Sequence, residues 1–143
     1  MGSEPAAPVR VPPGETLMGT LGMEIVESRP ERVVVTMPVT PRVSQGLGYL
    51  HGGASVALAE TAASIGGSLN RPPGTTVFGQ EINANHVRPV REGLLTATAT
   101  PFHVGRASQV WHVEIRDERG RLVCVSRCTI AAVPLSGDGA SGR

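Results

Sequence analysis

At 143 residues the chain suits one domain around one core. A formal net charge of +1 supplies no field that would gather nucleic acid, and no run is apolar enough to span a bilayer. Aromatics are only 3%, so the core must come from Val, Ala, Leu and Ile, with Trp111, Tyr49, Phe78 and Phe102 as rare large pieces.

The opening "MGSEPAAPVRVPPGE" is polar and Pro-rich, without a basic-then-apolar secretory signal, so a cytoplasmic location is expected. Residues 1–14 read as a flexible tail. "LGMEIVES" (21–28) and "RVVVTMPVT" (32–40) read as strands joined by a turn near Arg29-Pro30. Residues 41–53 form a loop punctuated by Pro and four glycines. A helix follows over about 54–69 and is stopped by the prolines of "NRPPGT". The pattern then switches to period two over 76–89, 94–105, 108–117 and 121–133, read as a four-strand meander. "DERG" places Gly120 where a hairpin wants a left-handed residue. Residues 134–143 read as a second tail, leaving 15–133 as the domain. Two strands, one helix and four strands predict an α+β fold, a curled antiparallel sheet around one helix. Its open edges predict a dimer or larger assembly.

Cys124 and Cys128 are four apart on a predicted strand, about 13 Å, too far for a disulfide between them. Two thiols at that spacing make no zinc site, and His51, His86, His103 and His112 fall in separate segments, so no metal is expected. His112, between Trp111 and Val113, reads as packed rather than catalytic. All thirteen basic residues are arginine, so any phosphate is met by guanidinium groups or backbone amides.

The predicted helix carries one carboxylate, Glu60, and none other lies between Glu31 and Glu81. On a helical wheel Ala54, Ala57, Leu58, Thr61, Ile65 and Leu69 form an apolar stripe, while Glu60 and Ser64 share another face. Glu60 either reaches solvent or an arginine, or sits in a partly desolvated interface as a general base or nucleophile. Gly52 and Gly53 open the helix, where unpaired N–H donors suit a developing oxyanion; the plainer reading is close packing. Gly52 and Glu60 are about 12 Å apart along one axis. A single carbonyl touching both would therefore draw them from two chains.

"GYLHGGASVALAE", "EINANHVRPVREG" and "HVGRASQVWHVEIRDERGRL" closely resemble the hotdog-fold acyl-CoA thioesterases, in the PaaI-like branch. The nearest resemblance is to the dihydroxynaphthoyl-CoA and hydroxybenzoyl-CoA enzymes. It covers roughly 15–133 and implies a hotdog fold, dimerised through a continuous sheet and paired again into tetramers. By that resemblance Glu60 attacks the thioester carbonyl or activates water, and the Gly52 N–H is the oxyanion donor. His51 lies near the thioester, Gln45 helps place the carbonyl, and Ser64 holds the attacking water or carboxylate. The coenzyme A arm is expected on Gly79, on His86, Val87, Arg88 and Pro89, and on His103, Val104, Gly105, Arg106, Ala107 and Ser108. Coenzyme A is part of substrate and product, so no cofactor is implied. Arg88 and Arg106 suit phosphates as bidentate donors, and Gly105 suits close backbone approach.

A serine hydrolase motif is not met by "GGASV", and "GLGYLH" fails the dinucleotide fingerprint. Two other functions keep the residue types: a hotdog hydratase or dehydratase using His51 with Glu60, and a non-catalytic acyl-CoA-binding module. Water addition to enoyl-CoA would mark the first, tight binding without turnover the second.

Overall fold

The computed structural model describes residues 10–135, so the stretches 1–9 and 136–143 of the two predicted tails lie outside the described residues. The period-two segments form one antiparallel sheet, and the Ala-rich run forms the helix laid across it. In chain order these are α1 (Leu17–Leu21), β1 (Glu24–Arg29), β2 (Arg32–Pro38), α2 (Gly52–Leu69), β3 (Thr75–His86), β4 (Leu94–Val104), β5 (Ser108–Arg116) and β6 (Leu122–Pro134). This is the expected α+β hotdog arrangement. None of the helices among the described residues is long and apolar enough to cross a membrane.

Four expectations are corrected: Phe78 and Phe102, expected among the core's large pieces, are 60% and 66% exposed, and the strand start, the strand order and the buried face of α2 differ as follows. The segment read as a strand from residue 21 begins instead as α1, whose Thr16 cap accepts from the Gly19 N–H at 3.1 Å. Gly22, at φ 71°, ends the helix, and only then does β1 begin. The four later strands are also not a simple meander, because the sheet order is β1-β2-β4-β5-β6-β3. β4 already has β2 on its free side, so β3 takes the open edge of β6, from Thr75 opposite Pro134 to His86 opposite Cys124.

Residues 87–93 therefore cross the end of the sheet, roughly 14 Å for three strand spacings. Val87 N–H to Val123 O (2.9 Å), Leu50 N–H to Val90 O (2.7 Å) and Val39 N–H to Gly93 O (2.8 Å) tie that crossing down. It closes over the N-terminal end of α2. The other turns follow the sequence, with Gly120 at φ 74° in the β5–β6 hairpin.

Alternate residues of the strands face α2 and are buried: Val33, Val35 and Met37, then Leu95, Ala97 and Ala99, then Trp111, Val113 and Ile115. Cys124 and Cys128 complete this face as buried free thiols. The core face of α2 is not the predicted stripe. The helix buries Ala54, Ser55, Leu58, Ala59, Ala62, Ala63, Gly66 and Gly67, while Ala57, Thr61 and Ile65 are half-exposed and Leu69 is exposed. Small residues win because the sheet comes close: a Cβ at Gly66 would overlap the Trp111 ring, and one at Gly67 would lie 2.9 Å from Ile130 Cγ2. Buried Gln109 fixes this contact. Its Nε2 donates to Gly67 O at 3.1 Å, and its Oε1 accepts from Trp111 Nε1 at 2.9 Å.

Candidate active site

Helix α2 starts with more donors than acceptors, and the loop before it satisfies all but one. His51 is the N-cap: its Nδ1 accepts from the Gly53 N–H at 2.8 Å. That bond places the proton of a neutral ring on Nε2. The Ala54 and Ser55 N–H groups reach His51 O at 3.0 and 3.4 Å. The Gly52 N–H has no acceptor among the described residues.

A cavity of about 480 Å³ opens at this end, lined by Gln45, Tyr49, Gly52, Ser55, His86 and Arg88 among others. His86 closes on the first turn, its Nε2 3.1 Å from where a Gly52 Cβ would stand. The Gln45 loop is a tight turn: Gln45 N–H donates to Tyr49 O at 2.7 Å and Gly48 N–H to Gln45 O at 2.9 Å. Gln45 Oε1 accepts from the Leu47 N–H, which leaves the amide nitrogen as a donor for the cavity. The Arg91 guanidinium lies 3.9 Å above the Tyr49 ring and pins this loop to the β3–β4 crossing. Tyr49 and Arg91 were missed in the sequence because neither matches a catalytic motif; only the fold stacks them.

Glu60 stands on a different face. It is half-buried and makes no hydrogen bond or ion pair with any described residue, so no arginine accounts for it. With Ala57, Thr61, Ser64 and Ile65 of the helix and Leu17 and Met18 of α1, it lines a second, more apolar cavity of about 550 Å³. The carboxylate rests on β3 at Gly79, where any Cβ would overlap it. Beneath it, burial pushes the Cys128 thiol up to about 12, and the charges of Glu60 and Glu81 add to the shift. Thr61 Oγ1 is turned back to Ala57 O at 2.7 Å, whereas Ser64 faces the cavity one turn beyond Glu60.

The expected coenzyme A residues fall in separate groups. His86, Val87, Arg88 and Pro89 share the cavity of Gly52, and Gly79 lies against Glu60. The turn from His103 to Ser108 is far from the His86 part of that cavity: Ser108 pairs with Ala131, and His86 with Cys124, seven residues or about 23 Å along β6, whereas Gly79, opposite Ile130, is one register step from Ser108. There Arg106 and Ala107 line a groove with Pro72, Pro73 and Thr75. Gly105 has its open side filled by its own hairpin, with His103 Nε2 and Ser108 O at 2.7 and 2.9 Å from a Cβ position. Val104 is exposed beside it. His112 is half-buried and stacks on the exposed Phe102 with ring centroids 5.1 Å apart.

Residues 47–124 match the family model described as the thioesterase superfamily. A 1,4-dihydroxy-2-naphthoyl-CoA hydrolase of Listeria monocytogenes is 52% identical over 115 residues, covering 80% of this chain and 94% of that protein. The proofreading thioesterase EntH of Cronobacter turicensis is 44% identical over 118 residues, 82% of this chain and 86% of its own. The crystal structure of a thioesterase from Haemophilus influenzae superposes with a TM-score of 0.82 at 48% identity, covering 87% of each chain.

Proposed function

Because this chain belongs to the thioesterase superfamily and is a thioester hydrolase, we propose that it splits an aromatic acyl-CoA into the free acid and coenzyme A. The similarity to the 1,4-dihydroxy-2-naphthoyl-CoA hydrolases supports the aromatic acyl group. One observation carries the mechanism: α2 holds an N–H donor at Gly52 and a carboxylate at Glu60, both unpartnered among the described residues.

In this reading the thioester carbonyl oxygen accepts from the Gly52 N–H, with the Gln45 amide beside it. Glu60 either attacks the carbonyl carbon, giving an acyl-enzyme anhydride that water then hydrolyses to the free acid, or takes a proton from a water held with Ser64 as that water's oxygen attacks the carbon. The carbonyl electron pair moves to oxygen, the Gly52 N–H stabilises that charge, and collapse expels the coenzyme A thiolate. Water is the second reactant, and coenzyme A enters and leaves as part of substrate and product, so no resident cofactor or metal takes part.

Gly52 and Glu60 open onto different cavities, which supports a site shared across a two-fold dimer. The long edge strand β3, with Phe78 60% exposed, offers a second copy the edge such a dimer needs. The distance of His103–Ser108 supports a further pairing, a dimer of dimers, in which another copy brings that turn to the coenzyme A arm.

The test is free-thiol release from a panel of aromatic, aliphatic and phenylacetyl-CoA thioesters. Aromatic thioesters should turn over best. Glu60→Ala should lower kcat by about 10³-fold or more while fold and assembly persist. Near wild-type rates in that variant would overturn the mechanism.

A further inference from the structure

Ser55 is 1% exposed, and its hydroxyl has no hydrogen-bond partner among the described residues. A helical serine ordinarily turns its hydroxyl back to the carbonyl four residues earlier. Here that carbonyl is His51 O, which takes the Ala54 and Ser55 N–H groups instead. Buried hydroxyls left unpaired are rare and costly, so the orphan calls for a partner that arrives later.

Its position says where that partner sits. Ser55 is three residues beyond Gly52 on the same helix face, and helical side chains lean toward the N-terminus. Ser55 therefore leans back over the first turn, and it lines the cavity that holds Gly52, Gln45 and His86. Ser126 is the internal contrast: also buried and unpartnered among the described residues, it lines neither the Gly52 cavity nor the Glu60 cavity and sits on β6 between core thiols.

We propose that the Ser55 hydroxyl is a second donor to the thioester carbonyl oxygen, beside the Gly52 N–H. The inference rests on the proposed thioester hydrolysis. When the carbonyl carbon is attacked, its π electron pair moves to oxygen; Ser55 donates a hydrogen bond to that oxygen and keeps its proton. The bond to sulfur then breaks, and coenzyme A leaves as thiolate. An orphan hydroxyl of this kind trades stability for transition-state binding, which separates it from a packing residue.

The experiment uses the full chain as it assembles, with 4-hydroxybenzoyl-CoA as probe. Ser55→Ala should lower kcat about a hundredfold with little change in KM. Its melting temperature should equal or exceed that of the wild type, as should that of Ser126→Ala. A kcat within twofold of wild type overturns the proposal, as does a fall in kcat matched by a fall in melting temperature. Ser55→Cys, which keeps the volume and only a weak donor, should also be slow; full activity there overturns it.

A second measurement does not depend on turnover. In Glu60→Gln, the infrared carbonyl band of bound 4-hydroxybenzoyl-CoA should lie lower with Ser55 present than with Ser55→Ala. Equal bands overturn the Ser55 assignment. If Glu60→Gln keeps wild-type turnover, the proposed role of Glu60 fails instead, and the kcat and melting temperature of Ser55→Ala still decide Ser55.

Discussion

Glu60 owes its place to a residue with no side chain. The carboxylate rests where any Cβ on Gly79 would overlap it. The resemblance assigned Gly79 to coenzyme A, and the geometry adds a direct contact with the helix carboxylate. The two roles separate kinetically: Gly79→Ala should displace Glu60 and lower kcat by about 10²-fold, the low end of what losing one well-placed general base costs. A rise in KM alone would mean that only the coenzyme A contact was lost. The thiol beneath Glu60 makes a pH prediction. Cys128 is pushed from 9.0 to about 12, chiefly by burial, so the unfolded chain releases that proton first as pH rises. Above about pH 9 the unfolded state thus holds fewer protons than the folded one. Stability should fall by up to about 1.4 kcal/mol per pH unit until about pH 12. Urea midpoints measured from pH 8 to 11 should show that decline, with a shallower slope in Cys128→Ala. Cys124, also raised by burial, accounts for part of what remains.

At the scale of the element, α2 is selected for thinness. The apolar stripe read on the helical wheel ran through Ala57, Thr61 and Ile65, which are half-exposed. The sheet instead takes the Ala and Gly positions, because Trp111 and Ile130 occupy the space a larger residue would need. Glycine inside an exposed helix costs up to about 1 kcal/mol relative to alanine, so Gly66→Ala would stabilise an isolated helix. In this protein the added methyl meets the Trp111 ring, held through Gln109, and the variant should lose about 1–3 kcal/mol in urea unfolding. A gain in stability would show that the ring is free to move. The N-terminal end was read better. Two adjacent glycines announce a helix entry, and the Gly52 N–H without an acceptor among the described residues and the hairpin at Gly120 fall where local sequence rules put them, while the His51 cap appears only in the structure.

At the scale of the whole molecule, the residues of the proposed site fall in two cavities of one chain. Gly52 with Gln45 opens one way, and Glu60 with Ser64 opens another. The proposed two-fold dimer makes a complementation prediction. Neither Glu60→Ala nor Gln45→Ala chains should be active alone. Mixed one to one, unfolded and refolded together, half the dimers are hybrids with one intact site of two. The mixture should regain about a quarter of wild-type activity. No recovery, with hybrids shown to form by mass, would mean that each chain builds its own site.

The sequence by itself determined most of the elements. Period-two runs made strands, an Ala-rich run made the helix, glycines and prolines set most of the turns, and an isolated Glu60 marked where to look. These follow from near-neighbour physics, which acts over a few residues. Only the tertiary structure decided the placing of β3 beside β6, the face of α2 that is buried, the stacking of Arg91 on Tyr49, and the orphaning of Ser55. Those depend on which distant segments approach most closely, and close packing fixes that choice by volumes no local pattern records.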